Sequence, residues 1–106
     1  MAKYMLIGSY TSEGAKGLLK DGGTKRVEAA RAAIASAGGT IESFYFGFGS
    51  DDFYVTMEVP DHVAASAAAL TIGASGKTTA RTVVLITPEE IDRAAQVSVD
   101  YRPPGG

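Results

Sequence analysis

The chain has 106 residues, enough for one domain with one modest core, and a second domain would be too small to bury enough surface. Apolar residues make up 45% and charged residues 21%, which excludes a disordered chain, and a net charge of -2 with scattered lysine and arginine leaves no footprint for nucleic acid. With no cysteine there is no disulfide, thiolate zinc site, iron–sulfur cluster or cysteine nucleophile, and with no leader-like segment or long apolar run the expectation is a cytoplasmic protein without a membrane partner.

Residues Tyr4 to Tyr10 (YMLIGSY) are mostly apolar or aromatic ahead of the turn-prone Thr11 and Ser12, and read as a first, buried strand. Ser12 is an N-cap candidate with Glu13 in the first turn, opening a short helix to Lys20 that Asp21, Gly22 and Gly23 interrupt. Thr24 can cap a restart, giving a kinked or two-part helix. Its second part, Lys25 to Ala37, carries Val27, Ala30 and Ile34 on one face and stops at Gly38 and Gly39. Thr40 to Phe48 and Phe53 to Val59 alternate as two strands of a hairpin, with Phe48 expected to pair near Phe53. Asp61 caps a further helix with Val63, Ala67 and Leu70 at helical spacing as far as Gly73. Thr78 to Ile86, rich in threonine and β-branched residues, reads as the last strand. Thr87, Pro88, Glu89 and Glu90 form a capping box with proline at the first helical position, opening a short helix to about Ala95. Residues 98–106 are expected to be a flexible tail on a domain spanning residues 1–97.

The order strand, helix, strand, strand, helix, strand is the α+β, ferredoxin-like βαββαβ arrangement, a four-stranded antiparallel sheet with its helices on one face. Hairpin parity places Phe44, Phe46, Phe48, Phe53, Val55, Met57 and Val59 beneath the helices. The open face then shows Ser43, Tyr45, Gly47, Tyr54, Thr56 and Glu58. Such a face is too aromatic for water and too polar for a plain core, so it is expected to pack against a second copy or around a ligand.

Two stretches imitate phosphate-binding loops and fail on order. In "FYFGFGSDDFYV" the glycines lead into another strand rather than a helix, and in "GASGKTT" the position five before Gly76 is Thr71 and the segment runs from helix to strand. Asp51 and Asp52 lack further ligands and read as turn formers, so no metal is expected. His62 is the only histidine; it is an exposed first-turn residue or, in a cleft, a general acid or base. Glu58 points to the open face, and if Arg81 on the last strand faces the same side the two would pair across the sheet or share a ligand. Tyr45 and Tyr54 would flank them, joined by Tyr4 or Tyr10 if the first strand presents that side.

The run from Phe44 to Asp61, "FYFGFGSDDFYVTMEVPD", resembles the signature of the GYD-domain proteins, an aromatic strand, a Gly-x-Tyr-Asp turn and an apolar strand ending in Glu-x-Pro-Asp. Gly49 and Asp52 match the turn, Glu58, Pro60 and Asp61 match the strand end, and Asp51 stands where the family usually has an aromatic. The resemblance spans about Tyr4 to Ala94 and implies a small ferredoxin-like domain akin to dimeric α/β-barrel proteins, without an established activity. The expected function is an oligomeric small-molecule-binding protein that needs no cofactor, with a cleft at the open face formed by Tyr45, Tyr54, Thr56, Glu58 and Arg81. One alternative is a cofactor-independent enzyme of oxygenase or isomerase type, using Glu58 or His62 as proton carrier. The other is a purely structural assembly protein.

Overall fold

The computed structural model describes residues Met1–Gly106. Its elements are β1 (Ala2–Tyr10), α1 (Ser12–Asp21), α2 (Gly23–Ser36), β2 (Thr40–Phe46), β3 (Phe53–Val59), α3 (His62–Ala74), β4 (Thr78–Leu85) and α4 (Pro88–Gln96). All three strand pairings are antiparallel and the sheet order is β2-β3-β1-β4, the ferredoxin-like arrangement.

Local chemistry explains the boundaries. Thr11 caps α1 by accepting from the Gly14 N–H, one residue earlier than Ser12, and Gly22 breaks the chain between α1 and α2 with a φ of 81° that favours glycine. No side chain caps α2, so Thr24 lies inside the helix rather than at its cap. Asp61 caps α3 through the Ala64 N–H, and the full capping box of Thr87 and Glu90 opens α4 with Pro88 at its start.

The core lies between the sheet and α2 and α3. Tyr4, Leu6, Ile34, Ile41, Phe53, Val55, Met57, Val59 and Ala65 are buried, and Ala30, Phe44, Ala64, Ala68 and Ile72 pack against them. Along β3 the alternation is complete, with Phe53, Val55, Met57 and Val59 inward and the intervening residues outward. A register shift between Ile41 and Ser43 makes Glu42 an extra residue in β2. Without that bulge, Ile41 and Phe44, an odd number of residues apart, would not both face the helices.

Three expectations need correction. Phe46, not Phe48, pairs with Phe53, because the Gly47 N–H bonds the Asp52 carbonyl and closes the ladder there; Phe48 is left fully exposed in the loop. On α3 the inward side is Ala64, Ala65, Ala68 and Ile72, whereas Val63 and Leu70 are 65% and 74% exposed. Small side chains let the helix lie close to the sheet, and that closeness outweighs the larger apolar area of Val63 and Leu70. Tyr4 is buried and Tyr10 packs its ring at 5.4 Å from Phe53, so both sit beneath the helices and neither joins the open face.

The end of the chain stands away from this body. Every residue of α4 and of 97–106 is exposed, including Ile91, Val97, Val99 and Tyr101. The radius of gyration is 16.8 Å with a longest extent of 56 Å, against about 13 Å for a compact chain of this length. No helix is long and apolar enough to cross a membrane.

Candidate functional site

The strand registers turn the helix-free face into three cross-strand rows. In the first, Tyr45 pairs with Tyr54, Tyr54 with Ile7, and Ile7 with Arg81. In the second, Ser43 pairs with Thr56, Thr56 with Met5, and Met5 with Val83. In the third, Thr40 pairs with Glu58, Glu58 with Lys3, and Lys3 with Leu85. All five residues expected there, Tyr45, Tyr54, Thr56, Glu58 and Arg81, lie on this face. Tyr45 is 70% exposed and Tyr54 37%. The hydroxyls of Ser43 and Thr56 hydrogen bond across the β2–β3 pair.

Glu58 and Arg81 do not meet. They are two strands and four residues apart, about 16 Å by strand geometry. Lys3 takes the place of Arg81: its Nζ donates to Glu58 Oε1 at 2.7 Å and to both Glu42 carboxylate oxygens at 2.9 and 2.8 Å. The hydrogen bond from Lys3 holds the Glu58 carboxyl below the usual carboxylate range, and the bonds to Glu42 and Glu58 raise the Lys3 ammonium. A carboxylate fixed in this way is a weaker base than a free one, which counts against proton abstraction by Glu58. Arg81 instead reaches Asp51, Nη2 to Oδ2 3.4 Å, so an aspartate at this turn position gives the open face an ion pair where the signature has a ring.

His62 is on the other side of the sheet. It begins α3 and lines a groove of about 710 Å³ with Tyr4, Ser66, Leu70 and Thr82, away from Glu58. No cluster of three or more histidine, aspartate or glutamate side chains is placed to hold a metal ion.

Asp52, the aspartate of the turn, ties loop to sheet. Its Oδ2 accepts the Tyr10 N–H at 3.0 Å, its own N–H donates to the Gly8 carbonyl at 2.7 Å, and its carbonyl receives the Gly47 N–H at 2.8 Å. These bonds lock the β2–β3 loop to the end of β1, so a turn-forming reading of Asp52 is correct but incomplete.

No motif in the sequence marks the interior beneath the helices. An apolar cavity of about 50 Å³ lies between the sheet and α2 and α3, walled by Leu6, Ala30, Ile34, Phe44, Phe53 and Ile72. A second hollow of about 260 Å³, between α1, Arg26, Ser75 and Lys77, shares Tyr10, Arg26, Ile72 and Thr78 with it. Thr78 is buried and its Oγ1 has no hydrogen-bond partner. Burial pushes the Tyr10 hydroxyl up, while the neighbouring Arg26 guanidinium opposes the shift. Thr78 opens β4 and Arg26 closes the first turn of α2, so nothing in their local sequence marks them as neighbours.

The fold and this face together define a ferredoxin-like α+β domain with its helices on one side of the sheet and a half-polar, aromatic open face on the other. A family model described as "GYD domain" matches residues 4–95, and the chain belongs to that family. Comparisons with curated proteins and with solved structures give no match.

Proposed function

We propose that this protein is an oligomeric small-molecule-binding protein, in which two copies associate through the open sheet face and hold the ligand at the seam near Tyr45, Tyr54, Thr56, Glu58 and Arg81. The observation that carries the reading is the face itself: a helix-free sheet surface with Met5 and Ile7 along its middle, Val83 beside them on the edge strand β4, and exposed tyrosines at the other side. Its ions are already paired within the chain, Lys3 with Glu42 and Glu58 and Arg81 with Asp51, so a second face meets it without stranding a lone charge.

Four strands about 4.8 Å apart and about seven residues long give a footprint of roughly 440 Å² per copy, or about 900 Å² for the pair. Standard interfaces begin near 1,200 Å². The projecting arm, with exposed Ile91, Val97, Val99 and Tyr101, supplies the missing area when it folds across the partner. Association of this kind is isologous and closes as a dimer.

Sedimentation equilibrium at micromolar concentration tests the assembly. The expected result is a dimer for the native chain and a monomer with unchanged circular dichroism for Met5→Arg, which places a charge at the centre of the face. A native chain that sediments as a monomer overturns the reading.

A further inference from the structure

The geometry points to a second binding site, independent of the open face, for a small carboxylate with a short, branched apolar tail, held between the sheet and the helices. Three residues that carry hydrogen-bond donors, Thr78, Tyr10 and Arg26, line both hollows. Thr78 is only 8% exposed and its Oγ1 is unsatisfied. An orphaned hydroxyl in such a place is uncommon, because leaving it without a partner forfeits the hydrogen bonds it made to water. Arg26 is half-buried and forms no ion pair within the chain, the three ion pairs being those of Lys3 and Arg81. A planar guanidinium and two hydroxyls lining one space suit a carboxylate, whose two oxygens accept from donors of both kinds.

The two hollows set the ligand's shape. The inner one, about 50 Å³ and walled by aliphatic and phenyl groups, takes a few methyl or methylene carbons and is too small for a ring; a dry cavity that accepts benzene is about 150 Å³. The outer hollow, about 260 Å³, has Lys77 and Asp21 at its walls and leaves room for the head and its waters. Together they reach the lower end of the ~300–1,000 Å³ range of small-molecule sites. Phosphate fits less well, since it would leave the apolar chamber empty.

Isovalerate is the probe, titrated into the native chain and followed by amide and methyl NMR shifts. The expected result is saturable shifts at Leu6, Tyr10, Ala30, Ile72 and Thr78, with none on the Tyr45, Tyr54 and Thr56 side. Arg26→Met is expected to weaken binding about tenfold or more, the usual effect of losing a charge-assisted hydrogen bond. Thr78→Val keeps the shape and is expected to weaken binding while leaving the fold intact. Ala30→Val fills the chamber and is expected to exclude isovalerate but leave the binding of acetate, which needs only the donors. Shifts confined to the open face, equal binding of isovalerate and inorganic phosphate, or no saturable shifts in the native chain would each overturn the proposal. The dimer test above is read by sedimentation, so either idea can fail without the other.

Discussion

Alanine substitution at Gly14 and at Gly17 makes the same chemical change on the same helix, and the structure assigns the two opposite signs. Each substitution gains about 1 kcal/mol of helix propensity. At Gly17 a new Cβ meets nothing within 4 Å, so that gain stands. At Gly14 it would lie 2.0 Å from the Lys77 carbonyl oxygen and 3.2 Å from Tyr10 Cδ1. The Lys77 carbonyl also accepts the Thr11 N–H at 2.9 Å, which fixes the start of α1 against the approach to β4. Relieving the contact requires main chain to move by about 1 Å or more, since unstrained contacts sit near 3.5 Å. Overpacking costs about 1–3 kcal/mol, and the upper end applies because the obstacle is backbone rather than a flexible side chain. Gly14→Ala is therefore expected to lose about 2 kcal/mol net and Gly17→Ala to gain about 1 kcal/mol. At about 4 °C per kcal/mol for a chain of this size, the two Tm values separate by about 12 °C. Urea unfolding at one fixed protein concentration measures the difference, with unchanged m-values confirming that the folded states are comparable. A Gly14→Ala variant as stable as Gly17→Ala would refute the claim that α1 packs directly on the Lys77 main chain. Since Thr78 follows Lys77, the same displacement would also disturb the interior cavity.

Acid should weaken the fold through Glu58. Its carboxyl is held low by Lys3, so its contribution is complete at neutral pH and disappears as pH falls through the folded-state value, beneath the usual glutamate figure of about 4.3. The Lys3 ammonium, raised by Glu42 and Glu58, contributes in the opposite direction: its share is complete below its ordinary value and is lost as pH rises through the raised one. Urea midpoints between neutral pH and about pH 3 should therefore fall more steeply in the native chain than in Lys3→Met, and parallel slopes would contradict the ion cluster. Truncation after Gln96, which removes exposed Val97, Val99 and Tyr101, is expected to weaken the proposed dimer about tenfold or more without shifting the unfolding of the monomer. Equilibrium sedimentation over a dilution series measures it, and an unchanged dissociation constant would remove the arm from the interface.

Sequence alone determined the order of the elements and, along β3, the two faces of the sheet. Alternating residues in β3 have no choice of side once one face is apolar, and caps such as Asp61 and Thr87 act within a few residues of themselves. For this reason Tyr45, Tyr54, Thr56 and Glu58 could be placed on the open face before any coordinates, whereas the side taken by Arg81 followed only from the β1–β4 register, and the aromatic–glycine signature pointed to the GYD domain family. Tertiary structure decided everything that depends on which strands are neighbours. Lys3 reaches Glu58 because β1 lies between β3 and β4, and that same intervening strand keeps Arg81 away. The inward side of α3 was set by how closely its alanines approach the sheet, a packing effect that spacing of Val63 and Leu70 does not contain. The interior cavity brings Tyr10, Arg26 and Thr78 together from β1, α2 and β4, and each is unremarkable in its own segment. Side-chain periodicity is local and survives in a sequence, whereas convergence of distant residues exists only after the chain has closed its sheet.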